Sequence, residues 1–118
     1  MREILESLND ELGVKGSLVM SPDGVVVTAL LGETLDEEAI AALVSMLLLT
    51  LNSVVRENEL ETFDTFVLAA NYGKLVVVNL DHSYLVVITD QFIKLDLTRV
   101  EIASAAERIR KRGRLSVS

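Results

Sequence analysis

Cysteine is absent from the 118 residues, which excludes disulfides, thiolate metal sites and cysteine nucleophiles. Histidine occurs once, so a histidine-rich metal site within one chain is excluded too. There is no tryptophan, one proline and only five Phe or Tyr residues. The six glycines form no Gly-x-Gly pair and no Gly-Lys-Ser/Thr phosphate loop. What remains is largely aliphatic: half of the chain is hydrophobic, and Leu, Val and Ile supply 42 residues. Such a chain can bury a sizeable core and has none of the composition of a disordered one. Its length suits one domain.

The formal charge is −7, so the body repels nucleic acid and anionic membranes. The charge is unevenly placed. Residues 1–98 hold five Lys and Arg against sixteen Asp and Glu, a formal −11, whereas residues 99–118 carry a formal +4. The opening Met1-Arg-Glu-Ile-Leu-Glu6 is charged at once and has no signal-peptide apolar core. The longest uncharged run, residues 39–55, is 17 residues and falls short of the roughly 20 a bilayer requires. The expectation is a cytoplasmic protein with no membrane insertion and no nucleic-acid partner.

Ile4, Leu5, Leu8 and Leu12 make a helical stripe, closed at Gly13. Two β-rich runs, 15–21 and 25–30, flank Ser21-Pro-Asp-Gly24, whose proline and glycine suit a type I hairpin turn. Thr34-Leu-Asp-Glu37 has the pattern of a capping box and opens a helix predicted over 35–56. Three more β-rich runs follow at 63–71, 75–80 and 83–89, joined by short turns. A last helix is predicted over 97–112, with Thr98-Arg-Val-Glu101 as a second capping box. The order α-β-β-α-β-β-β-α with short connections implies an α+β sandwich around a five-stranded antiparallel sheet. The long helix is expected on one face and the terminal helices on the other, or all three grouped together.

The central helix carries the most information. At about 100° per residue, Ile40, Leu43, Val44, Leu47, Leu48, Leu51, Val54 and Val55 form one stripe. Leu35, Ala39, Ala42, Met46 and Leu49 form a second, roughly opposite, leaving a narrow wet strip at Glu38, Ala41, Ser45, Asn52 and Arg56. A helix apolar nearly all round needs cover on both sides. Either a terminal helix supplies the second cover or another copy of the chain does so about a two-fold axis, and the copy is the more economical.

No reaction chemistry stands out. Asp81, His82 and Ser83 are adjacent in one turn and cannot adopt a nucleophile–base–orienter geometry. The cluster at Asp36, Glu37 and Glu38 lacks calcium-loop spacing and suits a helix N-terminus. The basic run containing Arg108, Arg110, Lys111 and Arg112 reads first as a solvated helix C-terminus. As a functional element it would dock an acidic partner surface, ahead of an anionic lipid surface or nucleic acid. No catalytic, cofactor or metal residue is assigned.

The element order, the hairpin Val14-Lys-Gly-Ser-Leu-Val-Met20 with Ser21-Pro-Asp-Gly24 and Val25-Val-Val-Thr28, and the run Lys74-Leu-Val-Val-Val-Asn-Leu-Asp-His-Ser-Tyr-Leu-Val-Val-Ile-Thr89 resemble the roadblock/dynein-light-chain family. The resemblance is to its bacterial and archaeal MglB-like branch and covers residues 1–112 as a single domain, with 113–118 as a short tail. It implies a profilin-like fold, dimers formed by the long helices and by edge-to-edge pairing of the strand at 63–71, and no catalytic constellation. On that footing the expected dimer contacts are Leu35, Ala39, Ala42, Met46, Leu49, Phe66 and Leu68. Arg108, Arg110, Lys111 and Arg112 are the possible docking residues. The implied role is a homodimeric regulator or adaptor of a small Ras-like GTPase, with stimulation of its hydrolysis as one form of that regulation. The alternative is a small-ligand sensor or a general scaffold on the same fold.

Overall fold

Hairpins close most of this fold, and one long-range pairing joins them. The computed structural model describes residues 1–71 and 73–117, with side chains for all of these except Leu95, Leu97 and 113–117. The elements run α1 (Arg2–Asn9), β1 (Val14–Met20), β2 (Val26–Leu31), α2 (Glu37–Glu57), β3 (Thr65–Ala70), β4 (Gly73–Asn79), β5 (Tyr84–Thr89) and α3 (Leu95–Val117). This is the expected order. At the first turn the Ser21 amide donates to the Val25 carbonyl at 2.8 Å and the Gly24 amide to the Ser21 carbonyl at 3.0 Å. Gly24 has φ +92°, a conformation glycine enters without a Cβ penalty.

The sheet order is β2-β1-β5-β4-β3, with every pair antiparallel. The pairing of β1 with β5, for example Leu18 opposite Val86, unites the N-terminal hairpin with the C-terminal meander. That places β1, β5 and β4 inside the sheet and leaves β2 and β3 at its edges. The burial of Leu75, Val76, Val77 and Val78 follows, because β4 is covered on both faces.

Alternation along the strands makes two cores. On one face Ile4, Leu5 and Leu8 of α1 and Ile102, Ala106 and Ile109 of α3 pack on Val19, Val76, Leu85 and Val87. On the other, Val44 and Leu48 of α2 pack on Leu18, Met20, Val77 and Val86. Both terminal helices are therefore spent on the face away from α2, and neither covers the outer side of the long helix. Glu37–Glu57 is long and apolar enough, by length and composition alone, to cross a membrane. The 17-residue uncharged run understates that length. In this fold one side of the helix is committed to the sheet.

The helix termini depart from expectation. The cap of α2 is Asp36, whose Oδ1 accepts from the amides of Glu38 at 3.0 Å and Ala39 at 3.3 Å. Thr34 lies two residues too early, because the chain first makes a turn in which the Leu35 amide donates to the Gly32 carbonyl. Helix α3 begins at Leu95, so Thr98 is a buried residue inside it and not a cap. The backbone also stays helical past Arg112 to Val117, through part of the expected tail. Gly113 costs a helix only about 1 kcal/mol relative to Ala, and no proline follows to stop it.

Gly73 shows how tightly the meander closes. A Cβ at this position would overlap the carbonyl oxygen of Thr89 in the neighbouring strand. Gly73→Ala is expected to destabilise the fold by about 1–3 kcal/mol, read as a lower midpoint in urea unfolding with an unchanged slope. An unaltered midpoint would show that the start of β4 relaxes freely.

Candidate functional site

Helix α2 is rotated on the sheet relative to the stripe read from sequence. Ala41 is buried and Ser45 half-buried, although both were assigned to the wet strip. The Ser45 hydroxyl lies 2.9 Å from where a Gly24 Cβ would stand, so the hairpin tip is seated against this side of the helix. Conversely, Leu43 and Val54, expected in the core, are 40% and 45% exposed. An evenly apolar helix gives little periodic contrast, and the small Ala41 and Ser45 let the backbone approach the hairpin.

The outer side of α2 therefore carries Ala39, Ala42, Leu43, Met46, Leu49 and Val54, all exposed. Met46 is 59% and Leu49 76% exposed. Hydroxyls along this side are turned inward chemically: Thr50 Oγ1 donates to the Met46 carbonyl at 3.0 Å, and Ser53 Oγ to Glu57 Oε1 at 3.3 Å. The surface offered outward carries an apolar stripe from Ala39 to Val54, about 22 Å along the helix, with Thr50 and Ser53 set into its C-terminal half.

Four of the seven expected contact residues lie on this stripe: Ala39, Ala42, Met46 and Leu49. Leu35 does not. It precedes the helix, is half-buried, and has its Cδ1 3.1 Å from where a Gly16 Cβ would be. Phe66 also turns inward, for a reason of strand parity. It faces α2 and meets Phe63 edge-on, ring centroids 5.3 Å apart, while Phe63 stacks on Tyr84. Leu68, two residues along the same side of β3, is 41% exposed. Leu43 and Val54 are the residues that sequence reasoning assigned inward.

The two sheet edges differ. On β2, Asn9 Nδ2 donates to the Leu30 carbonyl at 2.8 Å, and the ladder shifts register between Val19 and Met20. Strand β3 pairs regularly with β4 through all six residues, and its sequence Thr65-Phe-Val-Leu-Ala-Ala70 contains no charge and no proline. Uncharged, regular edges of this kind are templates for pairing with another strand.

The basic end of α3 is partly engaged within the domain. Arg110 Nη2 donates to the Asn79 carbonyl at 2.6 Å, and its Nη1 lies 3.6 Å from Glu107 Oε2. Arg112 pairs with Glu3 of α1. Arg108 and Lys111 are exposed. His82 is exposed in the β4–β5 turn. Among the described residues every buried side-chain nitrogen and oxygen has a hydrogen-bond partner, and no group of three or more His, Cys, Asp or Glu converges on a metal position. The residues of note form a surface for contact.

Comparison with known proteins agrees with this geometry. The profile of the Roadblock/LC7 domain matches residues 1–89. An uncharacterised protein of Methanocaldococcus jannaschii is 31% identical over 107 residues, 91% of this chain and 94% of its own length. Among solved structures, Myxococcus xanthus MglB superposes with a TM-score of 0.85 at 18% identity, covering 95% of this chain and 93% of that one. An MglB in a tetrameric arrangement superposes at 0.81 and 20% identity, covering 93% and 85%. At such identities the structural likeness is one of fold.

The clasp between Glu3 and Arg112 gives a direct test of where α3 lies. A hydrogen bond with its own backbone, followed by the Arg112 guanidinium, lowers the Glu3 carboxyl from 4.5 to about 2. A depressed carboxylate contributes above its unfolded value and loses that contribution as pH falls, here between 4.5 and about 2. An NMR titration should show Glu3 well below 4.5, moving upward in Arg112→Gln. An ordinary midpoint in the parent chain would mean that the clasp is open.

Proposed function

The chain belongs to the Roadblock/LC7 domain family, and on that premise we propose that it is a non-catalytic, homodimeric regulator or adaptor of a small Ras-like GTPase in the cytoplasm. The observation that carries the dimer is the apolar outer side of α2 beside the uncharged β3 edge. Two copies related by a two-fold axis can pack stripe on stripe and pair strand on strand, each patch serving as its own complement. Side-chain packing then supplies the driving force, while main-chain hydrogen bonds across β3 fix the register. Ala39 and Ala42 let helix backbones approach closely, and Met46 fills irregular gaps between them.

The GTPase is the finer part of the reading. The MglB-like resemblance supports it, together with a site that offers contact surface and no reaction centre. A regulator of this kind acts by holding the switch regions of its partner. No arginine finger is assigned, since Arg110 and Arg112 are both engaged within the domain.

Light scattering at micromolar concentration should give twice the 12.9 kDa of one chain. Met46→Glu buries an unpaired charge at the contact and should weaken association by about 100-fold or more. Its far-UV dichroism should be unchanged, because Met46 is outside the core. A fully dimeric Met46→Glu protein would place the contact elsewhere. For the partner, tagged protein incubated with native lysate in GDP or in a non-hydrolysable GTP analogue should retain a small GTPase, preferentially with the analogue. Recovery of none in either nucleotide would reject the GTPase reading and leave the dimer untouched.

A further inference from the structure

The side of the sheet opposite α2 is incompletely covered. Helix α3 packs over β5 and β4 through Ile102, Ala106 and Ile109 and leaves the adjoining side of β3 bare. The result is a half-open cavity of about 450 Å³. Val67, Val76 and Val78 form its floor, with Val67 opposite Val76 in the ladder. Ile102, Ala103 and Ala106 of α3 form the wall. The volume lies within the range of about 300–1,000 Å³ typical of small-molecule sites.

The lining restricts what can enter. Apart from Thr65 opposite Val78, the described floor and wall offer no side-chain donor or acceptor, so a polar group in the body of a ligand would lose its water without compensation. Among the described residues no aromatic ring lines the space, which removes stacking by them as a means of holding a base or other planar ring. The cavity follows the helix between Arg99 and Arg110, a rise of about 16 Å for eleven residues. An elongated aliphatic body satisfies all three conditions.

The two ends differ in charge. At the Arg110 end the guanidinium is bonded to the Asn79 carbonyl and lies near Glu107, and Asp64 and Thr65 stand beside it. At the other end Arg99 is exposed and makes no hydrogen bond or ion pair among the described residues. Lys74, one alternation before Val76 on the same strand, adds positive charge there while donating to the Ile93 carbonyl at 3.0 Å. Arg99 thus has no anionic partner among the described residues, and Arg can supply paired hydrogen bonds to a carboxylate.

We propose that this cavity binds a straight-chain aliphatic carboxylate, its head on Arg99 and its chain lying along Val67, Val76 and Ile102. The site is distinct from the α2 surface and does not depend on the GTPase reading. It provides both the hollow and the charged anchor that a small-ligand sensor on this fold requires.

Calorimetric titration with octanoate, below its micellar range, tests the assignment against octanol and acetate. Octanoate should bind saturably with one molecule per chain, octanol at least about tenfold more weakly, and acetate undetectably. Arg99→Gln should weaken octanoate about tenfold, the loss expected for a hydrogen bond to a charged group. Ala103→Trp fills the hollow from an exposed helix position and should abolish binding. Val67→Phe, on the exposed edge strand, serves the same purpose should the Trp variant unfold. Met46→Glu should bind octanoate like the parent. Equal affinity for octanol, binding that survives a cavity-filling variant that folds, or no binding by the parent chain would each overturn the proposal.

Discussion

A sheet whose inner strands are aliphatic on both faces must be covered twice, and three helices have to divide that work. Strands β1, β5 and β4 leave no choice, since Leu18, Val77 and Val86 point one way and Val19, Val76 and Val87 the other. The terminal helices meet over one face, where α1 and α3 are further tied by Glu3 and Arg112. The remaining face falls to α2 alone. A single helix shields a sheet with one side only, yet α2 is apolar on its other side as well. The exposed stripe from Ala39 to Val54 is the consequence of this division, as is the bare side of β3 that α3 does not reach.

Much of this was legible in the sequence because it rests on local chemistry. Ser21-Pro-Asp-Gly24 states a hairpin turn, the alternating and continuous aliphatic runs state strands, and their short connections state antiparallel pairing. Rotation of α2 was less legible. Ala41 and Ser45 look polar or neutral in a hydropathy pattern, but their small size lets the helix settle toward the β1–β2 turn, which turns Leu43 and Val54 outward. Caps failed in a similar way. Thr34 and Asp36 both suit the start of α2, and the preceding turn at Gly32 and Leu35 selects Asp36.

Contacts between distant residues were out of reach. The inward turn of Phe66 depends on Phe63 and Tyr84 being on the α2 side, a matter of strand parity together with tertiary position. The cavity brings Asp64 and Val67 to Arg99 and Arg110, elements joined only when β4 and β5 intervene in the sheet. Each Arg also reads alike in a list of charges. Only the fold separates Arg110, spent on the Asn79 carbonyl, from Arg99, which faces the hollow with no partner among the described residues.

Strand β3 is where these features meet. Its free backbone edge lies in the plane of the sheet, Leu68 faces the α2 side, and Val67 faces the cavity. In the proposed dimer a second strand on that edge would fix the register while α2 supplies the area. Because the cavity opens on the other face of β3, an occupant there leaves the α2 stripe free.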